Sequence, residues 1–355
     1  MIVYKSNSNP TSILIPEWEH VGAVLLSWPH KDSDWAYMLD EVTQCFEHLA
    51  LTILNHSNLI IVTPSKEIIP QSVTRFEGEK LRIVIMPTND TWARDFGPLS
   101  LKNNDGSYSL VDFGFNAWGL KFASCFDNKI CRNLFAQKGI WDKDIKTVSR
   151  LGFILEGGAI ESNGCGTILT TASCIFEANR NPELSNEEIC QILCDELGAK
   201  NLIVLQHGSL KGDDTDGHID TLVRICDQNT IAYVQAPSDT LDEHFEELKL
   251  MEKELKEWAA KDHLQLIPLP MAEPVYDEDE LNYRLPATYA NFLILNDAVL
   301  FPTYSGSKDK EAEKALRKCF PSHKIIGIEC SALIRQHGSL HCVTMQIPSP
   351  LLKDK

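Results

Sequence analysis

No segment of this 355-residue chain approaches the ~18 consecutive apolar residues that cross a bilayer, and none is low in complexity. The expectation is a soluble globular protein with no membrane partner. Basic residues are scarce, 33 Lys and Arg against 50 Asp and Glu, for a formal net charge of −17. That balance argues against nucleic acid as a partner and suits a small cationic ligand, although acidity also keeps a chain in solution with no ligand at all. The first ten residues, Met1 to Pro10, lack the apolar run of a secretory signal. A cytoplasmic location is therefore expected, with the eleven cysteines, an odd number, reduced rather than paired. Cys190 and Cys194 lie one helical turn apart, but no second pair follows to complete four zinc ligands, so they read as core. A homo-oligomer is left open.

What is present is enough apolar residue, 43% of the chain, for a large core, built as two domains or as one composite of repeated units. Short apolar runs at 21–28, Leu59–Thr63 and Leu81–Met86 read as strands. Between the first two, Asp34 is expected to cap a helix whose core stripe is Trp35, Met38, Leu39, Val42, Phe46 and Leu49. Gly152 to Glu156 reads as a strand ending at Gly157-Gly158, where missing side chains allow a close approach beside a carboxylate. Ser185 and Glu188 form a capping box opening a helix through Leu197. A long amphipathic helix is expected over Ser238–Lys261, with Leu241, Phe245, Leu248, Met251, Leu255 and Trp258 inward. Residues 271–288 form an acidic, proline-bounded connection, a lid or a surface excursion. A strand at Tyr289–Leu295, a helix at Lys308–Phe320 and a turn leading into a strand over Arg335–Gln346 complete the pattern.

The densest polar stretch is Gly212-Asp213-Asp214-Thr215-Asp216-Gly217-His218-Ile219-Asp220. Read as a calcium loop with Gly217 sixth, it places Gly212 at the first ligand position and Val223 at the twelfth, where acids are required. The calcium reading fails, and one histidine among acids is weak support for a transition metal. On an extended segment His218 and Asp220 point the same way, so that the carboxylate would orient the imidazole and favour its protonated form. Cys342 is a candidate nucleophile at the entrance to a strand, where the preceding His341 would face away from it, and it is useful only as thiolate, which an imidazolium or a cationic substrate would stabilise. Asp95 and Glu156, with Trp92, suit a planar cation: guanidinium offers forked donors to carboxylates and a flat face to an aromatic ring.

These candidates recur at a loose interval. Asp95 to Glu156 is 61 residues, Glu156 to His218 62, His218 to Asn291 73, and Asn291 to Cys342 51. Such spacing suggests repeated units round an axis, each presenting the same end to one centre.

Six segments in order, Trp92–Pro98, Phe115–Gly119, Leu155–Gly158 with Asn179–Pro182, Thr215–Asp220, Leu285–Phe292 and His341–Thr344, resemble the agmatine deiminase branch of the guanidino-group-modifying (pentein) superfamily, which also includes bacterial peptidylarginine deiminases. The resemblance covers nearly the whole chain. It implies an α/β fold, a five-bladed pseudo-symmetric propeller of ββαβ modules around a central site, with residues 1–355 as a single catalytic domain. It implies hydrolysis of agmatine to N-carbamoylputrescine and ammonia, in the service of putrescine and polyamine synthesis, with peptidylarginine or free arginine as the alternative substrate. Cys342 would attack the guanidinium carbon, Asp95 and Glu156 or Asp220 would hold its nitrogens, and His218 would shuttle protons. Trp92 and Trp118 would line the pocket, and neither metal nor organic cofactor would be needed. One departure is that His337-Gly338-Ser339-Leu340 stands where many members have a glycine-rich run, which bears on the substrate's far end.

Overall fold

The computed structural model describes residues 1–6, 8–277 and 283–353. Its strands fall into five sheets of three or four strands and one two-stranded ribbon. The five sheets share one connectivity. In each, a strand pairs antiparallel with the next, and the chain then crosses through a helix to a strand parallel to that second one.

Leu99–Asn103, Tyr108–Gly114 and Lys146–Ile154 make one such unit, crossed by Ile130–Phe135. Glu161–Ser162, Thr167–Thr171 and Asn201–Leu205 make the next, crossed by Asn186–Leu197. Val223–Ile225, Thr230–Val234 and Gln265–Leu269 follow, crossed by Phe245–Asp262. Leu293–Ile294, Ala298–Thr303 and Lys324–Glu329 form the fourth, crossed by Asp309–Cys319. The fifth joins the two ends of the chain: Met345–Pro348 lies antiparallel to Val21–Ser27, which runs parallel to Asn58–Thr63 after the helix Leu39–His56. The units thus start at residues 99, 161, 223, 293 and 345, which accounts for the interval near sixty.

Every residue of Val21–Ser27 is buried, as expected of a strand covered on both faces. Trp28 meets Phe46 edge-on at 5.7 Å beneath it, and side chains such as Leu25, Leu49 and Leu59 are fully enclosed. Each such burial contributes roughly 1.5–3 kcal/mol. Ser185 and Glu188 form the expected capping box, and Gly198, left-handed at φ 70°, closes the same helix.

Several expectations fail locally. Asp34 does not cap: Ser33 precedes a short 3-10 turn, Asp34–Met38, and the α-helix starts at Leu39. The long helix starts at Phe245 rather than near Ser238, because the Asp239 and Asp242 carboxylates accept the backbone N–H groups of Leu241 and His244 and tie the preceding residues into turns. Leu241 is consequently 90% exposed instead of inward. The strand expected at Tyr289–Leu295 shrinks to Leu293–Ile294, and the strand expected after the turn within Arg335–Gln346 starts only at Met345 and runs on to Pro348. Within 271–288, Val275–Tyr276 and Arg284–Leu285 pair as an antiparallel ribbon, and 278–282 lie outside the described residues. Among the described residues no helix is long and apolar enough to cross a membrane.

Candidate active site

The position just before each unit is where the candidate side chains stand. Asp95, Glu156, His218, Asn291 and Cys342 precede the strands starting at 99, 161, 223, 293 and 345 by two to five residues. Asp95 is carried on a single helical turn, Ala93–Phe96, closed by Gly97, where a Cβ would lie 2.4 Å from the Ala93 carbonyl. Glu156 follows the strand Lys146–Ile154, and Asp220 sits in the 3-10 turn Ile219–Thr221 directly after His218.

Gly158 shows how closely these groups converge. A Cβ there would lie 2.7 Å from His218 Nδ1, 2.8 Å from Asp95 Oδ1 and 3.1 Å from Asp220 Oδ2. The glycine is the floor on which three ionisable groups meet. Gly158→Ala is expected to displace them, to cost about 1–3 kcal/mol of stability as overpacking does, and to reduce turnover far more than its melting temperature. Steady-state kinetics beside thermal unfolding check this; a fully active alanine variant would contradict the convergence.

Asp95 accepts the Gly158 N–H (2.9 Å) on one oxygen and Trp118 Nε1–H (2.9 Å) on the other, so Trp118 orients a carboxylate as well as packing. Glu156 accepts Arg180 Nε–H at 2.9 and 3.1 Å, and Arg180 is itself held by the Thr215 carbonyl and Asp216. His218 stands 3.6 Å from Asp95 and 3.9 Å from Glu156. Asp220 does not orient it as expected from the sequence. Asp220 Oδ2 instead faces His341 Nδ1 at 2.7 Å, and His341 Nε2 faces Glu17 at 2.9 Å. Cys342 lies in a turn rather than on a strand, so the neighbouring His341 does not point away. Both backbone N–H groups donate to Asn291 Oδ1, and the Cys342 thiol lies 3.4 Å from that oxygen and 3.8 Å from Asp220.

Three buried polar atoms of this cluster have no hydrogen-bond partner: His218 Nδ1, His218 Nε2 and Asp220 Oδ1. Buried polar atoms are normally satisfied, so an unpaired set at one spot marks a place made for a polar ligand.

Charges follow from these contacts. Burial would raise Glu156, but the Arg180 guanidinium outweighs it and brings the carboxyl to about 2. Burial likewise works against Asp220, and its hydrogen bond to His341 wins, holding it below the usual range. For Asp95 burial prevails and raises the carboxyl to about 6. Burial would lower His218, yet the Asp95 charge foremost lifts it well above the ordinary value. Burial, with Asp220 and Asp95 nearby, pushes the Cys342 thiol well up. The thiol is thus protonated until positive charge enters.

The site opens through a cleft lined by Asp34, Asp90, Trp92, Asp95, Trp118, Phe122, Asp214, Thr215, Gln336, His337, Gly338 and Cys342. Trp92 packs on Trp35 at 5.7 Å, and a Cβ at Gly338 would lie 2.2 Å from its ring. His337, left-handed at φ 67°, points Nδ1 toward the Gly212 carbonyl at 2.8 Å, and Ser339 meets the Tyr304 hydroxyl at 3.0 Å. Asp213 accepts from the Thr215 and Gly217 N–H groups and only shapes the turn. Cys190 and Cys194 are core, as expected. Of the side chains now at the site, Arg180 carried no assigned role in the sequence and His341 was expected to face away; the Asn179–Pro182 segment was the one available signal for Arg180.

Residues 13–348 match the family model described as Porphyromonas-type peptidyl-arginine deiminase. A Porphyromonas gingivalis structure, provisionally an arginine deiminase, is 48% identical with a TM-score of 0.89, covering 96% of this chain and 100% of that one. A C. jejuni agmatine deiminase, solved with substrate bound as a cysteine-to-serine variant, is 38% identical with a TM-score of 0.86, covering 96% and 97%. A Shewanella sp. (strain W3-18-1) protein, provisionally named agmatine deiminase, is 31% identical over 94% of this chain and 93% of its own.

Proposed function

Because this chain belongs to the Porphyromonas-type peptidyl-arginine deiminase family, we propose that it hydrolyses agmatine to N-carbamoylputrescine and ammonia through a covalent amidino-thioether on Cys342. Glu156 and Asp220, charged at neutral pH, and Asp95 hold the guanidinium nitrogens. The bound cation supplies the charge that the thiol lacks: its proton leaves to solvent and Sγ attacks the guanidinium carbon. The C–S bond forms, one C–N bond breaks, and His218 gives its proton to the departing ammonia. Water then loses a proton to His218 and attacks the same carbon. The C–S bond breaks as the oxygen's remaining proton passes to solvent, the thiolate returns and the ureido product leaves. Trp92 and Trp118 wall the substrate, and the chemistry calls on no metal or organic cofactor. We read the five sheets as blades of one propeller and residues 1–355 as one catalytic domain, a reading supported by their shared connectivity and the chain ends meeting in one sheet.

The observation that selects agmatine is the lining of the cleft. It carries Asp34, Asp90 and Asp214 beyond the reacting centre, and among the described residues no lysine or arginine. Burial raises Asp90 to about 7 and Asp214 to about 6, so a terminal ammonium draws these acids into their charged form, whereas the carboxylate of free arginine meets groups of its own sign, a mismatch of several kcal/mol. Turnover of agmatine, arginine and a blocked arginyl peptide is therefore expected to favour agmatine by ~100-fold or more in kcat/KM. Preference for arginine or the peptide would move the protein to the other substrate of its family.

The pH profile follows from Asp95. Its carboxyl titrates at about 6 in the free protein, so it holds a guanidinium above that pH and not below. Since kcat/KM reports the free enzyme, it should fall about tenfold per unit below about pH 6, and Asp95→Asn should remove that limb along with most activity.

A further inference from the structure

Behind the guanidinium site lies a thiol that the reaction above does not use. Cys174 is fully buried on the turn Ala172–Ile175, and single ligand atoms of Cys174, His218 and Glu156 all lie within 4.8 Å of one another. We propose that these three side chains form a zinc-binding site, and that zinc there is a reversible inhibitor competing with the guanidine for His218 and Glu156.

Three features carry this. The donor set, one sulfur, one imidazole nitrogen and one carboxylate oxygen, is that of borderline-soft zinc and not of calcium or magnesium, which take oxygen alone. Tetrahedral zinc with bonds of about 2.0–2.3 Å sets its ligands about 3.3–3.6 Å apart. His218 Nε2 and Glu156 Oε2 are already 3.9 Å apart, so only a small closure is needed. His218, 1% exposed, has no partner within hydrogen-bond distance of either ring nitrogen, and its longer interactions run to Glu156, at 3.9 Å, and to Cys174, the two other ligands themselves. Arg180 donates to both oxygens of Glu156 and can keep one while the other turns to the metal. On binding, the thiol proton, and any second imidazole proton, pass to solvent, and a fourth position stays open for water. The neighbouring cleft with its acids would draw in a divalent cation as it draws in an amine.

The inhibition rests on the function proposed above; the metal binding does not. The test uses the full chain in a Cys125→Ser, Cys165→Ser background, which removes the two exposed thiols. Chelator-treated protein is titrated with zinc chloride by calorimetry and with cobalt by near-ultraviolet absorption, where a thiolate–cobalt band reports sulfur ligation. One metal per chain, the cobalt band, and zinc inhibition of agmatine turnover relieved by chelator are expected. Cys174→Ser, or Cys174→Ala should the serine fold poorly, should lose the band, weaken zinc binding at least tenfold, and leave its metal-free turnover insensitive to zinc. Magnesium and calcium should have no effect. No zinc bound, or equal binding and inhibition in the Cys174 variants, would overturn the proposal. Zinc binding through Cys174 in a protein that releases no ammonia from agmatine would sustain the site and overturn the reaction instead.

Discussion

Cys342→Ala is expected to abolish ammonia release from agmatine, with kcat falling by at least ~10⁴-fold, the scale on which removing an enzyme's nucleophile acts. The proposed covalent route has no substitute for this thiol, which lies against Asp220 and Asn291 and lines the cleft. The fold should survive, since one small buried side chain is shortened and the Asn291 bonds to the backbone of 341 and 342 remain. Agmatine binding should survive as well, because Asp95, Glu156 and Asp220 are untouched. Calorimetric binding beside an ammonia assay separates the two. A variant that still turns over would remove Cys342 from the chemistry, and one that no longer binds would make the thiol a recognition group.

His218→Asn carries the second large effect. In the proposed reaction this side chain is both acid for the leaving ammonia and base for the water, and general acid–base catalysis is worth about 10²–10⁴-fold per step. The variant also removes a cation 3.6 Å from Asp95. The sign is fixed: a positive neighbour lowers a carboxyl, so its loss raises Asp95 further above about 6. The acid limb of kcat/KM should therefore move to higher pH as its plateau drops. Loss of rate with an unmoved limb would mean that His218 works without facing Asp95.

Much of this site was legible because the fold repeats. Asp95, Glu156, His218 and Cys342 each stand just before a unit's first strand, so one structural position recurs at the length of one unit, and the sequence interval records it. The partners were harder to read. Asp220 was expected to hold His218 because an extended chain puts residues two apart on one side. The segment is instead a 3-10 turn, and its carboxylate reaches across 121 residues to His341. His341 was expected to face away from Cys342 on a strand. Gly338, pressed on the Trp92 ring, and Asn291, drawing in the N–H groups of both 341 and 342, hold a turn there instead. Neither contact is local in sequence, so no periodicity could show it. Arg180 was hidden for a similar reason: its charge is balanced by Glu156 and Asp216, 24 and 36 residues away.

The central claim is a covalent intermediate on one thiol of eleven. Acid quenching of the protein during turnover of agmatine, followed by intact-mass and peptide mass spectrometry, tests it most directly. The account predicts an added mass equal to agmatine less ammonia, confined to the peptide bearing Cys342 and absent in Cys342→Ala. Steady turnover with the thiol unmodified at every quench time, or the adduct on another cysteine, would contradict it.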